Sequence, residues 1–287
     1  MKNQLLVVNN LCKKYRDFQL KNVSFTLDAG YILGLVGQNG AGKTTLMKLI
    51  QNIVAKTSGD VIIDGLDYKK NEIEIKNRIG FIMESPFFEL YTLEENGKVF
   101  GRFYKHYNHK EFLGYLKQFG LAKEKKYGEL SKGMQTKFQL SFALSHQARL
   151  LILDEPTGGL DPVFRREFLT LLQEVVESEN IGIIISTHIT NDLDKIADYI
   201  ALIDQGELLF CKTKEELLDE YFMIKGRAEM LEQIPKSALI SVRKYREGFE
   251  ALTNQKDVCI ENAGESLVCE HASIEDIMFY VAKGRKE

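Results

Sequence analysis

Residues 31–53, YILGLVGQNGAGKTTLMKLIQNI, constrain the fold more than any other stretch of the chain. An apolar run ends in glycines and an apolar-periodic helix pattern begins at once, so a buried strand must turn directly into a helix here. The turn itself, GQNGAGKTT at residues 37–45, fits G-x-x-x-x-G-K-[ST]. Gly37, Gly40 and Gly42 let backbone N–H groups turn inward around an anion, with Gln38, Asn39 and Ala41 completing the loop. The helix that follows aims its positive end at the same point. Lys43 is placed to reach β- and γ-phosphates, Thr44 to offer a hydroxyl to Mg²⁺, and Thr45 to add a hydrogen bond to phosphate. These residues predict a bound nucleoside triphosphate.

The rest of the chain supplies neighbours for that strand. Short apolar strands alternate with longer helical patterns, which reads as an α/β protein of βαβ units with a largely parallel sheet. LLVV and VSFTL are early strands, and YIALIDQGELLF is a hairpin around Asp204, Gln205 and Gly206. LLILD (150–154) and GIIIS (182–186) are near-continuous apolar strands, as expected where both faces of a sheet are covered. Asp154 and Glu155 emerge at the carboxyl end of the first, the edge at which open α/β sheets bind ligands. Asp154 is expected to hold Mg²⁺ through its water shell, and Glu155 to polarise or deprotonate an attacking water. His188, in STH, closes the second strand on the same edge, where an imidazole can bond the γ-phosphate and keep the water and Glu155 in line.

Residues 87–147 break the alternation and read as mainly helical. Eleven of the 29 aromatic residues fall between Phe81 and Phe119, so many must be core, yet such density also suits an exposed apolar groove for a partner. Beyond about residue 213 the chain reads as a small α+β appendage. KEELLDEY and AEMLEQI are helical, ALISVRKY and FEALTN are short strands, and SIEDIMFYVAKG is a closing amphipathic helix. From Glu216 onward 10 basic residues face 14 acidic ones, and the whole chain carries a net charge of −3, so neither is a general nucleic-acid binder. The four cysteines lie far apart without a CxxC pair and read as reduced thiols, not as a metal site or disulfide framework. No apolar stretch approaches the roughly 18–20 residues that span a bilayer, and the N-terminal apolar run is too short for a signal peptide. The expectation is a cytosolic chain whose membrane role, if it has one, comes through a partner.

A last stretch, ELSKGMQTKFQLSFAL at 129–144, opens a helix just ahead of the acidic strand, with Ser131 as its N-cap. GQNGAGKTT, LSKGM, LLILDEP, GGLDP and STH, in this order and at these spacings, resemble the ATP-binding subunit of an ABC transporter over residues 1 to about 213. The resemblance implies a P-loop NTPase sheet core with an antiparallel β-subdomain and a helical subdomain at about 87–147. Together these form an ABC ATPase domain over 1–213, with the α+β accessory domain over 214–287.

The resemblance also implies roles, residue by residue. In that family an LSGGQ-like motif acts in trans, completing a site on the other subunit of a head-to-tail dimer. Ser131, Lys132, Gly133 and Met134 occupy that motif, so Ser131 and the Gly133 amide would face a γ-phosphate held by the partner. Lys132 adds positive charge near phosphate, and Met134 removes a polar side chain. Tyr15 matches the aromatic on which adenine stacks, with Phe18 the weaker candidate, and Asp161 matches the residue linking the two sites. Glu84 falls where most of the family has a glutamine that touches Mg²⁺ and senses the membrane partner. That glutamate, with SKGM and the ESPFF run, is similar to ATPases of antimicrobial-peptide exporters of the bacitracin, lantibiotic and phenol-soluble-modulin types. The implied partners are a second ATPase subunit, identical or a close paralogue, and a separate integral-membrane subunit docking near 87–107, at the cytoplasmic face of the cell membrane. A sensing or immunity ATPase is the alternative that keeps the membrane partner. Translation and DNA-repair ABC proteins fit poorly, because the chain has one phosphate loop and no sustained heptad run.

Overall fold

The computed structural model describes residues 4–83, 89, 91–264 and 266–284, and the chain divides into two compact units, 1–211 and 212–287. The parallel part of the first unit's sheet is built on β3 (Ile32–Val36), β7 (Leu150–Asp154) and β8 (Gly182–Ser186). Flanking strands are β6 (Ile79–Ile82), beside β7, and β9 (Tyr199–Asp204), beside β3. Every residue of β3 and β8 is buried, and in β7 only Asp154 is not, which is why these segments are almost wholly apolar. The register pairs Leu35 with Ser186 and Ser186 with Asp154, so the carboxyl ends of three strands meet on one edge. That edge positions the site.

Four strands form the antiparallel part: β1 (Gln4–Lys14), β2 (Gln19–Asp28), β4 (Ser58–Ile63) and β5 (Leu66–Asp67). β10 (Glu207–Thr213) lies between β2 and β9, giving the order β5-β4-β1-β2-β10-β9-β3-β8-β7-β6. The connection from β9 to β10 is the expected two-residue hairpin, with Gln205 at φ 46° and Gly206 at φ 78°, both left-handed as a tight hairpin turn requires. The helix that follows β3, α1 (Lys43–Ile50), sinks Leu46, Met47, Leu49 and Ile50 into the core shared by both parts of the sheet. The α2 segment (Tyr68–Arg78), interrupted by non-helical Asn71, leads into β6.

The described residues between β6 and β7 are mainly helical, with α3 (Leu93–Phe100), α4 (His109–Gln118) and α5 (Lys132–Ser145). Their aromatics divide by role. Phe112 and Phe138 are fully buried, edge to face at 5.8 Å, whereas Phe103 is 77% exposed. After β7 come α6 (Pro162–Glu179), capped by Asp161 and opened by a proline, and α7 (Thr190–Ile196). Among the described residues no helix is long and apolar enough to cross a membrane.

The second unit has its own sheet and core. It starts with α8 (Lys214–Glu220), and β11 (Phe222–Arg227), β12 (Ser241–Lys244), β13 (Gly248–Thr253) and β14 (Val268–His271) pair antiparallel in the order β12-β13-β11-β14. Ile224, Phe249, Ala251 and Cys259 are buried between this sheet and its helices. The helix expected over AEMLEQI is only α9 (Ala228–Leu231), since Pro235 ahead disfavours helical backbone at Ile234. α10 (Lys256–Ala263) and α11 (Ile274–Gly284) complete the unit.

Candidate active site

The phosphate loop is shaped by close approach of neighbouring backbone. A Cβ at Gly37 (φ 155°) would stand 2.2 Å from the Ile203 carbonyl oxygen, so the loop can leave β3 here only through glycine. Gly42 caps α1 in the left-handed region (φ 117°) and offers no side chain, leaving the first helical N–H groups to whatever sits in the loop. Lys43 is 7% exposed, and its Nζ donates to the carbonyls of Gly37 at 2.7 Å and Gln38 at 3.4 Å. Burial pushes the pKa of its ammonium down, while the carboxylates of Glu155 and Asp154 pull it back up.

Those carboxylates are fixed from β8. Asp154 accepts from the Thr44 hydroxyl at 3.0 Å through one oxygen and from the Ser186 hydroxyl at 2.5 Å through the other. Glu155 sits at φ 50°, a left-handed conformation that costs a non-glycine residue roughly 1–3 kcal/mol. Its N–H donates to both the carbonyl and the hydroxyl oxygen of Ser186, each at 3.1 Å, which pins that conformation. The turn swings the Glu155 side chain to His188, whose Nδ1 lies 2.7 Å from Oε2 and whose backbone N–H donates to the same oxygen at 3.4 Å. Ser186 carries no motif in the sequence. Its only signal is a hydroxyl closing the otherwise apolar GIIIS strand.

These groups share a cavity of about 1220 Å³. Gln38, Asn39, Gly40, Gly42, Lys43, Thr44 and Thr45 line one side of it, and Asp154, Glu155 and His188 line another. Tyr15 and Phe18 form the lip, their ring centroids 6.5 Å apart and tilted 35°. Tyr15 is 42% exposed under the Lys13 ammonium, which stands 5.0 Å from its ring centroid. Phe18 is the better seated of the two: its ring tip comes within 2.9 Å of where a Cβ on Gly42 would stand. Asp17 and Lys48 also line the cavity, and neither carried a motif that could single it out. Gly37 and Ala41 shape the loop from behind and do not line the space.

The LSKGM turn is only partly brought to this site. Ser131 caps α5, accepting from the Met134 N–H at 3.4 Å, and neither it, Gly133 nor Met134 lines the cavity. Lys132 does line it, in its own chain. Asp161 lies outside it too, accepting from the N–H groups of Val163 and Phe164 at 3.1 and 3.0 Å. Glu84 lies outside the described residues.

A buried lysine in a glycine loop at a helix start, facing two carboxylates and a glutamate-bonded histidine, is equipped to grip a triphosphate and activate a water against it. Known proteins resemble the chain in sequence and fold. Residues 20–158 match the ABC transporter family. The ABC transporter ATP-binding protein YtrB of Bacillus subtilis is 35% identical over 208 residues, 72% of this chain and 70% of that one. The bacitracin transport ATP-binding protein BcrA of Bacillus licheniformis is 34% identical over 209 residues, 71% of this chain and 68% of that one. A solved ATP-binding subunit of an ABC transporter superposes with a TM-score of 0.67 at 28% identity, over 74% of this chain and 91% of its own. Shared sequence over most of each relative, and a shared fold around this cavity, show that the chain belongs to the ABC transporter family as one of its ATP-binding, ATP-hydrolysing subunits.

Proposed function

We propose that the chain pairs head-to-tail with a second ATPase subunit and powers a separate membrane-spanning subunit that exports peptides or similar amphipathic molecules. The observation that carries the pairing is the split between the cavity and the LSKGM turn. The loop, carboxylates and histidine share one cavity, while Ser131, Gly133 and Met134 stand outside it at the start of α5. A second copy, turned end for end, would bring its Ser131 and helix start to the γ-phosphate bound here. Within the chain, Lys43 and the loop amides bind the β- and γ-phosphates, and Tyr15 and Phe18 take the base. Glu155 accepts the proton of the attacking water, and His188 orients the carboxylate through the 2.7 Å contact. Asp161, at the head of α6, would relay the state of one site to the other.

Mg²⁺ fits the donor set. The Thr44 hydroxyl and the Asp154 carboxylate are hard oxygen ligands already 3.0 Å apart, and Glu84 is a further carboxylate proposed for the same ion. Bound there, the ion would neutralise charge on the β- and γ-phosphate oxygens.

Support for a membrane partner comes from the helical stretch. Phe103 is 77% exposed, Tyr91 43% and Val99 39%, all near the segment expected to dock one, on the cytoplasmic face. A bacitracin transport protein among the relatives supports peptide export. The test is a pull-down of tagged Glu155→Gln chain with Mg-ATP from detergent-solubilised native membranes. Recovery of a multi-span protein is the expected result; recovery of soluble partners alone would remove the transport reading.

A further inference from the structure

The start of α5 is fastened to its own chain at two points. At Gly133, a Cβ would stand 2.4 Å from the ring of Phe164, so this glycine is where α6 presses against the turn. Lys137, further along α5, also holds this ring, its Nζ 4.6 Å from the centroid and 3.7 Å from Glu167 Oε2. The second point is Lys132. Its Cδ and Nζ come within 3.9 and 4.0 Å of where a Cβ on Gly159 would stand. It lines the nucleotide cavity with Asp154, Glu155 and Gly158, and a smaller recess with Met83, Gln139 and Pro156. The lysine stem therefore reaches from the helix start towards the loop that follows the base.

We propose that Lys132 is a positioning residue acting in its own chain: it holds the Glu155–Gly159 loop, and with it the base, against the start of α5. The side chain that resemblance would aim at a partner's phosphate stands instead beside its own catalytic loop. An LSGGQ motif has glycine at this position and cannot make the contact. The inference rests on the head-to-tail reading for its wider consequence. In such a dimer, Lys132 would join the base of one site to the turn that completes the other, while Phe164 seats that turn.

Mixed dimers with a single working base decide it. One chain keeps Glu155 and the other carries Glu155→Gln. Lys132→Gly in the Glu155-bearing chain should lower turnover at saturating ATP by roughly three- to tenfold, the scale of other coupling positions, with KM for ATP changed by less than about twofold. Lys132→Arg in that chain should recover most of the rate. Lys132→Gly in the Glu155→Gln chain should cost less than about twofold. An equal or larger loss from that second placement, or no loss from the first, would overturn the proposal. Ser131→Arg in the Glu155→Gln chain is the separate check on the head-to-tail reading. Persistent turnover there would remove that reading, yet the Lys132 comparison would still stand or fall on whether substitution beside the working base slows it.

Discussion

The starts of α1 and α5 are two answers to the same problem, the unpaired N–H groups of a helix. At α1 the cap is Gly42, left-handed and without a side-chain bond, and the helix opens on a cavity of about 1220 Å³. At α5 the cap is Ser131 in extended backbone, and its hydroxyl already accepts from Met134 at 3.4 Å. The first helix keeps its donors for a ligand held in its own chain. The second satisfies one with a long neutral bond, which an anion can replace with a stronger charge-assisted one. On the proposed reading, the glycine cap marks a site built within one chain, and the start of α5 awaits a site brought by another.

Breaking the α1 side should have the largest effect. Lys43→Ala removes the ammonium that the loop carbonyls hold, and tight ATP binding and turnover should both vanish, read by nucleotide titration and phosphate release. Next comes Glu155→Gln, which leaves the amides intact: turnover should fall by roughly 10²- to 10⁴-fold while ATP affinity is kept. Loss of affinity there would mean that the carboxylate grips nucleotide instead of activating water.

The far end of α5 sharpens the comparison on the stability side. His146 caps it, buried, stacked on Tyr104 at 4.0 Å, with Nδ1 3.3 Å from the Asn77 carbonyl. Burial holds its imidazole down at about 4 against an ordinary 6.5, although the Asn77 contact pulls the other way. Below pH 6.5 the unfolded chain takes up a proton that the folded chain refuses. The stability contributed by neutral His146 is therefore full above 6.5 and lost as the pH falls towards 4, on the order of 3 kcal/mol. Urea unfolding at pH 7 and 4.5 should show that loss, and His146→Phe should remove most of this histidine's share of it. The smallest effect belongs to the cap itself. Ser131→Ala should cost about 1 kcal/mol of stability, and Ser131→Gly only a few tenths.

What could be read in the sequence follows from the same contrast. Lys43, Thr44, Asp154, Glu155 and His188 could be picked out because each is tied to the end of an apolar strand or to a glycine pattern, and the sheet register brings them to one edge. The antiparallel sheet of the second unit was only half legible. FMIKGR and VCEH lack the alternation that marks a strand, although the first pairs along its length with β13 and the two pair with each other. Ser186 was hidden because a single hydroxyl at a strand end has no pattern. Lys132 was assigned a direction by resemblance, and a long flexible side chain takes its direction from packing that sequence spacing does not carry. The crowded aromatics posed the same difficulty: density alone cannot separate Phe112, wholly buried, from Phe103, which stands in solvent.

The central claim is that the start of α5 completes a site on another chain. Light scattering on the Glu155→Gln chain, with and without saturating Mg-ATP, tests it most directly. The chain should be a monomer that becomes a dimer with one ATP trapped per chain, and adding Ser131→Arg should leave it monomeric while the phosphate loop still binds ATP. A monomer at saturating ATP, or a dimer that forms equally well with Ser131→Arg, would contradict that claim.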